Sequence, residues 1–442
     1  MSWKKGIFSL LLASFLFVLV ACGGNDDSTS GGDADEGDDG KVSINYYSWE
    51  TGEKENIVEQ IIENFEAENP DIEVNYEPLV TSNDSLEFYQ QLDIKVGTGE
   101  AIDVVAFSHV DFLLERASRG VLAPLDEFME ADSIDPTEEY YVAPQYEGET
   151  FGIQDLSQPW FVAINKDALD AAGLDMPEWG WTWDDFQTYA AELTNEDQYG
   201  AYFHTWGEFA GFPAYSELPH PYLTENEEPV FDDATFADFF ELRREMEEEG
   251  SVRKFQDVVA SETHYASEFF NGDAAMLPIG SFIIDMIKDK ENYPHDFQTV
   301  FAPLPRSSED VEVGSTYMGG HYLGIGESSE HKEESYKFAK YMAEQVEVIS
   351  DFPGSRNVDQ DQVLETMVED QSDLIDQETL QTTVYDDNVI IPYDPAYSTA
   401  YSNELKSVLE DGFSRYILDG ISASEAQEEM VDQANQIIER NQ

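Results

Sequence analysis

The chain reads as an α/β protein of open sheets with helices on both faces, divided into two domains. Three observations lead there. Between residues 42 and 107, stretches of alternating apolar residues interleave with stretches of helical apolar spacing. Strand, helix, strand, helix, strand is the rhythm of an open α/β sheet, and it returns over 161–203. About 420 residues follow the apolar N-terminal run, too many for one ordinary core.

The elements follow in order. Val42, Ile44 and Tyr46 alternate, which predicts a strand. Glu53 to Glu68 carries Ile57, Ile61, Ile62 and Phe65 at helical spacing, and Asn69-Pro70 stops it. Ile72, Val74 and Tyr76 alternate again, a helix is expected from Asp84 to Val96, and a short apolar strand from Val104 to Phe107. Later come a strand near Phe161 to Asn165, a helix from Thr182 to Leu193 and a strand near Tyr199 to Phe203. Thr182 with Asp185 three residues on reads as a variant capping box. Helical patterns also fit Asp233 to Glu249, Ser335 to Ala343, Asn403 to Leu409 and Ser424 to Ile438. There is no internal repeat of solenoid length.

Hydrophobic residues make up 41% of the chain and aromatics 13%, enough to build real cores despite the charge. That charge is extreme: 94 Asp and Glu against 22 Lys and Arg, a net −72. Nucleic acid is excluded as a partner, because neutralising phosphates needs a basic face. Anionic headgroups would repel the protein as well. The acidic residues are spread along the chain, as in Glu127, Glu130 and Asp132 and again in Glu245, Glu247, Glu248 and Glu249. Proteins working in high salt resemble this: screening removes self-repulsion while hydrated carboxylates keep the surface soluble. A halophilic source is therefore expected.

The N-terminus has a basic start, Lys4 and Lys5, followed by an apolar run from Ile7 to Val20 broken only by small residues. That is the layout of a secretory signal, and it is too short for a comfortable membrane span. The run ends in Leu19-Val20-Ala21-Cys22, which resembles the bacterial lipobox. The resemblance implies cleavage before Cys22 and lipidation of its thiol. Cys22 is the single cysteine, so it makes no internal disulfide, whereas a lipid anchor needs no partner. Residues 23–40 are almost entirely small, polar or acidic and read as a self-repelling tether. Asp33, Asp35, Asp38 and Asp39 lack the flanking helices and terminal Glu of a calcium loop.

Four stretches of the folded part resemble the extracellular solute-binding proteins of bacterial ABC importers, in the sugar-binding group that includes maltose-binding protein. The first is Ile44-Asn45-Tyr46-Tyr47-Ser48-Trp49 with the helix end and strand from Phe65 through Asn69-Pro70 to Val74. The second is Gly97-Thr98-Gly99-Glu100-Ala101-Ile102-Asp103-Val104-Val105, then Gly120 to Leu125. The third is Asn165-Lys166-Asp167-Ala168-Leu169, then Ala172-Gly173-Leu174 and Thr182 to Phe186. The fourth is Phe270-Asn271-Gly272-Asp273-Ala274-Ala275-Met276, then Ala302 to Pro305 and Gly319-Gly320. Each piece is weak alone; their joint order and spacing over 41–442 is specific. One departure is Ile102, where the family usually has proline.

The resemblance implies a two-lobed periplasmic-binding-protein-like fold with a hinged cleft between the lobes. It places crossings near Gly152 to Gln158, Phe297 to Pro303 and Glu344 to Ser350. The organisation expected is a signal peptide over 1–21, an acidic linker over 22–40, one lobe from 41–153 and 300–345, and the other from 154–299 and 346–442. It also implies a monomer, anchored to the cell membrane by the lipid on Cys22, that captures a carbohydrate and passes it to ABC permease transmembrane subunits. No cofactor and no metal are called for.

A sugar presents flat C–H faces and a rim of hydroxyls, so its site needs aromatic platforms and polar side chains. Open α/β sheets bind ligands beyond the carboxyl ends of their strands. Trp49 and Glu50 follow the first strand, where the family has its first ligand loop. Ser108, His109 and Asp111 follow the strand ending at Phe107. Gln158 and Trp160 lie at the first crossing, with Trp160 the leading stacking candidate. Phe282 follows Gly280-Ser281, where the family often carries an aromatic stacker. Gly319, Gly320 and His321 read as a loop where absent side chains admit either a ligand or a tight turn. Trp206, Arg356, Tyr393 and Tyr401 complete the candidates. Of Trp179, Trp181 and Trp183, the last matches a family packing position.

Enzyme motifs are missing: there is no His-Glu-x-x-His, P-loop or Gly-x-Ser-x-Gly. Carboxylate pairs arise by chance when one residue in five is acidic, so they do not argue for a glycosidase. His204 and Glu208 are four apart but have no third ligand in view. The alternatives to a transport component are a secreted carbohydrate-active lipoprotein enzyme and a chemosensory sugar-binding protein. Aromatic richness favours a sugar over an amino acid, and the scarcity of basic residues weighs against a phosphorylated ligand.

Overall fold

The computed structural model describes residues 40–441 except 83, 350, 369, 370, 387 and 388. Cys22, the signal and most of the acidic linker lie outside the described residues. Among the described residues eleven strands run in chain order: β1 (Val42–Ser48), β2 (Ile72–Pro78), β3 (Val104–Phe107), β4 (Gln145–Tyr146), β5 (Glu149–Thr150), β6 (Gly152–Asn165), β7 (Tyr199–Ala201), β8 (Ala274–Gly280), β9 (Thr299–Pro303), β10 (Met318–Ile325) and β11 (Phe352–Pro353).

β6 organises the molecule. Its first half pairs antiparallel with β10, which continues the series β2-β1-β3-β10-β6 in the first lobe. Its second half, Trp160 to Asn165, pairs with β8 on one edge and β9 on the other, and β7 extends that sheet. Two cores result. Ile44, Phe65, Phe107, Leu323 and Phe338 pack in one; Phe161, Phe186, Met276, Ile284 and Phe301 pack in the other. A third, helical core of Phe236, Phe240, Leu405, Leu409 and Met430 forms on residues 210–255 and 401–438.

The local signals work as their chemistry dictates. Asp84 accepts from Leu86 and Glu87 amides and starts the helix Ser85–Gly97. Thr182 and Asp185 form a reciprocal capping box on Trp183–Leu193. Asn165 ends β6 and caps Lys166–Ala172. The helix read over 403–409 runs longer, Ser402–Ser414. The strand read over 161–165 is the end of β6, and the one read over 199–203 stops at Ala201.

The chain passes between cores along β6, again between β9 and β10, and again between the helix Lys332–Ala343 and β11. The boundary expected at residue 300 falls inside β9. That strand pairs along its whole length with β6 in the second sheet, so the passage follows Pro303. Opposite β10, the register of β6 shifts: His321 faces Leu156 but Tyr322 faces Gln154, which leaves Asp155 as an extra, bulged residue. Gly354 then lies so close that a Cβ there would stand 1.7 Å from the Gln154 carbonyl oxygen.

Candidate functional site

Between the two main cores lies a cleft of about 1270 Å³. One side carries Trp49, Ser108, His109 and Phe112, the other Trp206, Glu208, Tyr265, Phe282 and Lys406, and the passage strands supply Gln158, Trp160, Gly319, Gly320 and His321. Ten of the residues singled out from sequence therefore meet on one surface: Trp49, Ser108, His109, Gln158, Trp160, Trp206, Phe282, Gly319, Gly320 and His321.

Their exposure ranks them differently from the sequence reading. Trp160, taken there as the leading platform, is only 6% exposed. Its indole is enclosed by Phe209, Phe212, Phe282 and Tyr317, with ring centroids 5.5 to 6.0 Å away. It offers the cleft an edge and belongs to the second core. Trp49 is similarly sunk, at 7%, against Phe88, Tyr89 and His321. The open ring is Trp206, 38% exposed, backed edge-on by His204, Phe209 and Tyr265. Gly319, Gly320 and His321 do not form a loop; they lie within β10. Gly320 is required by packing, since a Cβ there would stand 2.5 Å from both Gln154 Nε2 and the Leu156 carbonyl oxygen.

Five candidates lie off the cleft wall. Glu50 is 6% exposed with Oε1 unbonded, and Lys54 Nζ and His321 Nδ1 each stand 3.9 Å from it. Asp111 and Tyr393 line a smaller cavity of about 50 Å³, which shares His109, Tyr317 and Gly319 with the cleft. Arg356 is a structural clasp: its amide donates to the Glu139 carbonyl at 2.8 Å, its Nε to the Tyr140 carbonyl at 3.1 Å, and its guanidinium covers Tyr141. Tyr401 is buried in the helical core. Trp183 is core, stacked on Phe212, and Trp181 is buried with its indole N–H on the Pro303 carbonyl at 2.8 Å.

The polar chemistry of the cleft is mostly paired. Lys406 Nζ lies 2.6 Å from Glu208 Oε1. Burial alone would raise the Glu208 carboxyl, but the charges of Lys406 and His109 and the Lys406 hydrogen bond hold it below its ordinary value. Glu208 thus serves Lys406, not a metal shared with His204. The other lysines of the cleft are also matched: Lys54 with Glu50 at 3.9 Å, Lys288 with Asp285 at 3.0 Å and Lys290 with Asp373 at 3.4 Å. Two histidines are pushed well down: burial, then Lys54, drives His321 to about 3, and burial, then His264, drives His204 to about 4. His109 caps the helix Val110–Ser118, with Nδ1 taking the Asp111 amide at 3.3 Å.

The segments that pass between the cores carry two buried carboxyls. Burial, then the charge of Glu50, pushes Asp155 up to about 8; its Oδ1 has no partner. Asp351 is buried at 3% exposure and accepts from Gln158 Nε2 at 3.0 Å, from the Phe352 amide at 3.0 Å and from Ser281 Oγ. Sequence reasoning missed Asp351, Glu208, Lys406, Tyr265 and Tyr317. For Lys406 the scarcity of basic residues was a usable signal; for the acids there was none.

The family model described as bacterial extracellular solute-binding protein matches residues 48–347. The sn-glycerol-3-phosphate-binding periplasmic protein UgpB of Escherichia coli (strain K12) is 25% identical over 328 residues, 68% of this chain and 70% of that protein. A putative binding protein of Brucella abortus is 28% identical over 192 residues, 43% of this chain but only 41% of its own length. Among solved structures, a sugar transporter protein of Rhizobium etli in an open conformation superposes with TM-score 0.74 at 20% identity, covering 89% of this chain and 99% of that one. An ABC substrate-binding protein of Listeria monocytogenes in complex with cycloalternan gives 0.72 at 21% identity, covering 90% and 99%. At such identity these likenesses speak for the two-lobed fold, and the family model for membership. The chain belongs to the bacterial extracellular solute-binding proteins.

Proposed function

We propose that this chain is a lipid-anchored substrate-binding component that captures an uncharged carbohydrate, a sugar or oligosaccharide, between its lobes and hands it unaltered to an ABC permease. One observation carries the reading: aromatic rings line the cleft beside neutral hydrogen-bonding groups, and each of its four lysines, Lys54, Lys288, Lys290 and Lys406, stands within 4 Å of a carboxylate, so that none is left as a free cation. Rings suit the C–H faces of a sugar and the polar groups its hydroxyls. The sugar named in the Listeria complex agrees with this reading. The glycerol phosphate named for the Escherichia coli relative argues for a second ligand class, which would need a free cation in the cleft. Hydrolysis of the ligand and presentation to a chemoreceptor are the competing roles.

The test is a thermal-shift and calorimetry panel in molar potassium chloride, covering neutral mono- and oligosaccharides, polyols and sn-glycerol 3-phosphate. A neutral sugar should bind, remain chemically intact and reduce the radius of gyration in solution scattering. The proposal fails if sn-glycerol 3-phosphate alone binds, if no sugar binds, or if a bound oligosaccharide is cleaved.

A further inference from the structure

We propose that Asp351 is a positioning residue that fixes which end of the Gln158 amide faces the cleft, so that this point of the wall accepts a hydroxyl hydrogen from the ligand. The inference rests on the reading of the cleft as the ligand site. Gln158 sits on β6 at the passage between lobes and reaches the cleft half-buried. A glutamine amide has a donor end and an acceptor end of nearly equal shape, and its neighbour decides which is which. Here the neighbour is a carboxylate, which as an anion only accepts. Gln158 Nε2 therefore turns to Asp351 Oδ2, at 3.0 Å. Oε1 is left for the cleft, and no donor from the described residues reaches it.

Asp351 is well built for this task. Its other oxygen takes the Phe352 amide and the Ser281 hydroxyl, so the side chain is held from two directions. Ser281 immediately precedes Phe282, which lines the cleft, and Asp351 itself lies on the last passage between lobes. No lysine or arginine of the described residues lies within ion-pair distance of Asp351. The titratable groups acting on it are Asp285, on the helix Ile283–Lys288, and Tyr385, at the end of the helix Gln377–Val384; β6 and the loop after β8 contribute the neutral Gln158 and Ser281. Burial, and to a lesser degree Asp285, raises Asp351 to about 7. Once protonated it becomes a donor, and the amide of Gln158 can reverse.

The experiment is a double-mutant cycle on the mature chain in molar salt. The probe is whichever of maltose, maltotriose, trehalose, raffinose or mannitol binds the wild type. Asp351→Asn keeps the shape but puts an N–H₂ where Oδ2 stood, which reverses Gln158. Loss of one hydrogen bond and an unpaired polar group predict about tenfold weaker binding. Gln158→Ala should cost a similar factor, and the double variant should lose no more than Gln158→Ala alone. Wild-type affinity should fall as pH drops below about 7, and Gln158→Ala should remove that dependence. Multiplying losses in the double variant, or wild-type affinity in Asp351→Asn, overturns the proposal. Side-chain amide NMR needs no ligand: the Gln158 N–H₂ signal should change environment in Asp351→Asn and on acidification of the wild type. If no probe binds, the reading of the cleft fails, while an unmoved Gln158 signal sinks this inference on its own.

Discussion

Trp206→Ala and Trp160→Ala separate a ligand platform from a core residue in one pair of measurements. Trp206 leaves 38% of its surface open. For a side chain of roughly 250 Å² that is about 95 Å², and a sugar lying on one face covers about half of it. At about 25 cal/mol per Å² the covered half is worth ~1 kcal/mol, and stacking adds ~1 kcal/mol. Losing both raises Kd about thirtyfold. The stability cost should be small, because more than a third of the residue is already open to solvent, although His204, Phe209, Tyr265 and Phe282 touch the ring. Trp160, at 6% exposure with four aromatic neighbours, should behave oppositely. Emptying such a site costs about 3–5 kcal/mol of stability. The assay is calorimetric titration with the bound sugar, alongside thermal unfolding of each ligand-free variant in the same molar salt. If Trp206→Ala binds like the wild type, or Trp160→Ala loses affinity while melting normally, the ranking by exposure is wrong.

Three further outcomes are expected. Asp155, raised from 3.8 to about 8, keeps its proton in the folded state while the unfolded chain releases it, so folding takes up a proton between these values. Stability should therefore fall as pH rises from about 4 to about 8, by up to ~1.4 kcal/mol per unit. Asp155→Asn should gain on the wild type steadily over that window; a gain that does not vary with pH refutes the assignment. With a net charge of −72, the melting temperature should climb steeply from dilute buffer to molar potassium chloride, and a flat curve removes the halophile argument. Cys22→Ser should abolish incorporation of radioactive palmitate and release the protein from membranes; persistent labelling would contradict a lipid on Cys22.

Features that depend on neighbours in the chain are legible in the sequence. Alternation at Val42, Ile44 and Tyr46 and helical spacing from Ile57 to Phe65 are local signals, and β1 and the helix Glu53–Glu68 follow them. Caps are equally local, which is why Asp84, Thr182 and Asp233 mark helix starts so closely. Looking just after strand ends also finds His109 and Phe282, which line the cleft, because open α/β sheets put those loops at one rim. The remaining features are non-local. Nothing in the residues around 152–165 says that one strand serves two sheets, since that depends on partners more than a hundred residues away. Trp160 and Trp206 are the same residue type on one cleft, and only the packing of Phe209, Phe212, Phe282 and Tyr317 makes the first a core residue. Asp351 and Asp155 are two carboxylates among 94 Asp and Glu. Both are buried with no lysine or arginine of the described residues in ion-pair range, unlike the buried Glu208 and Glu268, and that is a property of the assembled chain, where a carboxyl leaves water and its proton affinity rises.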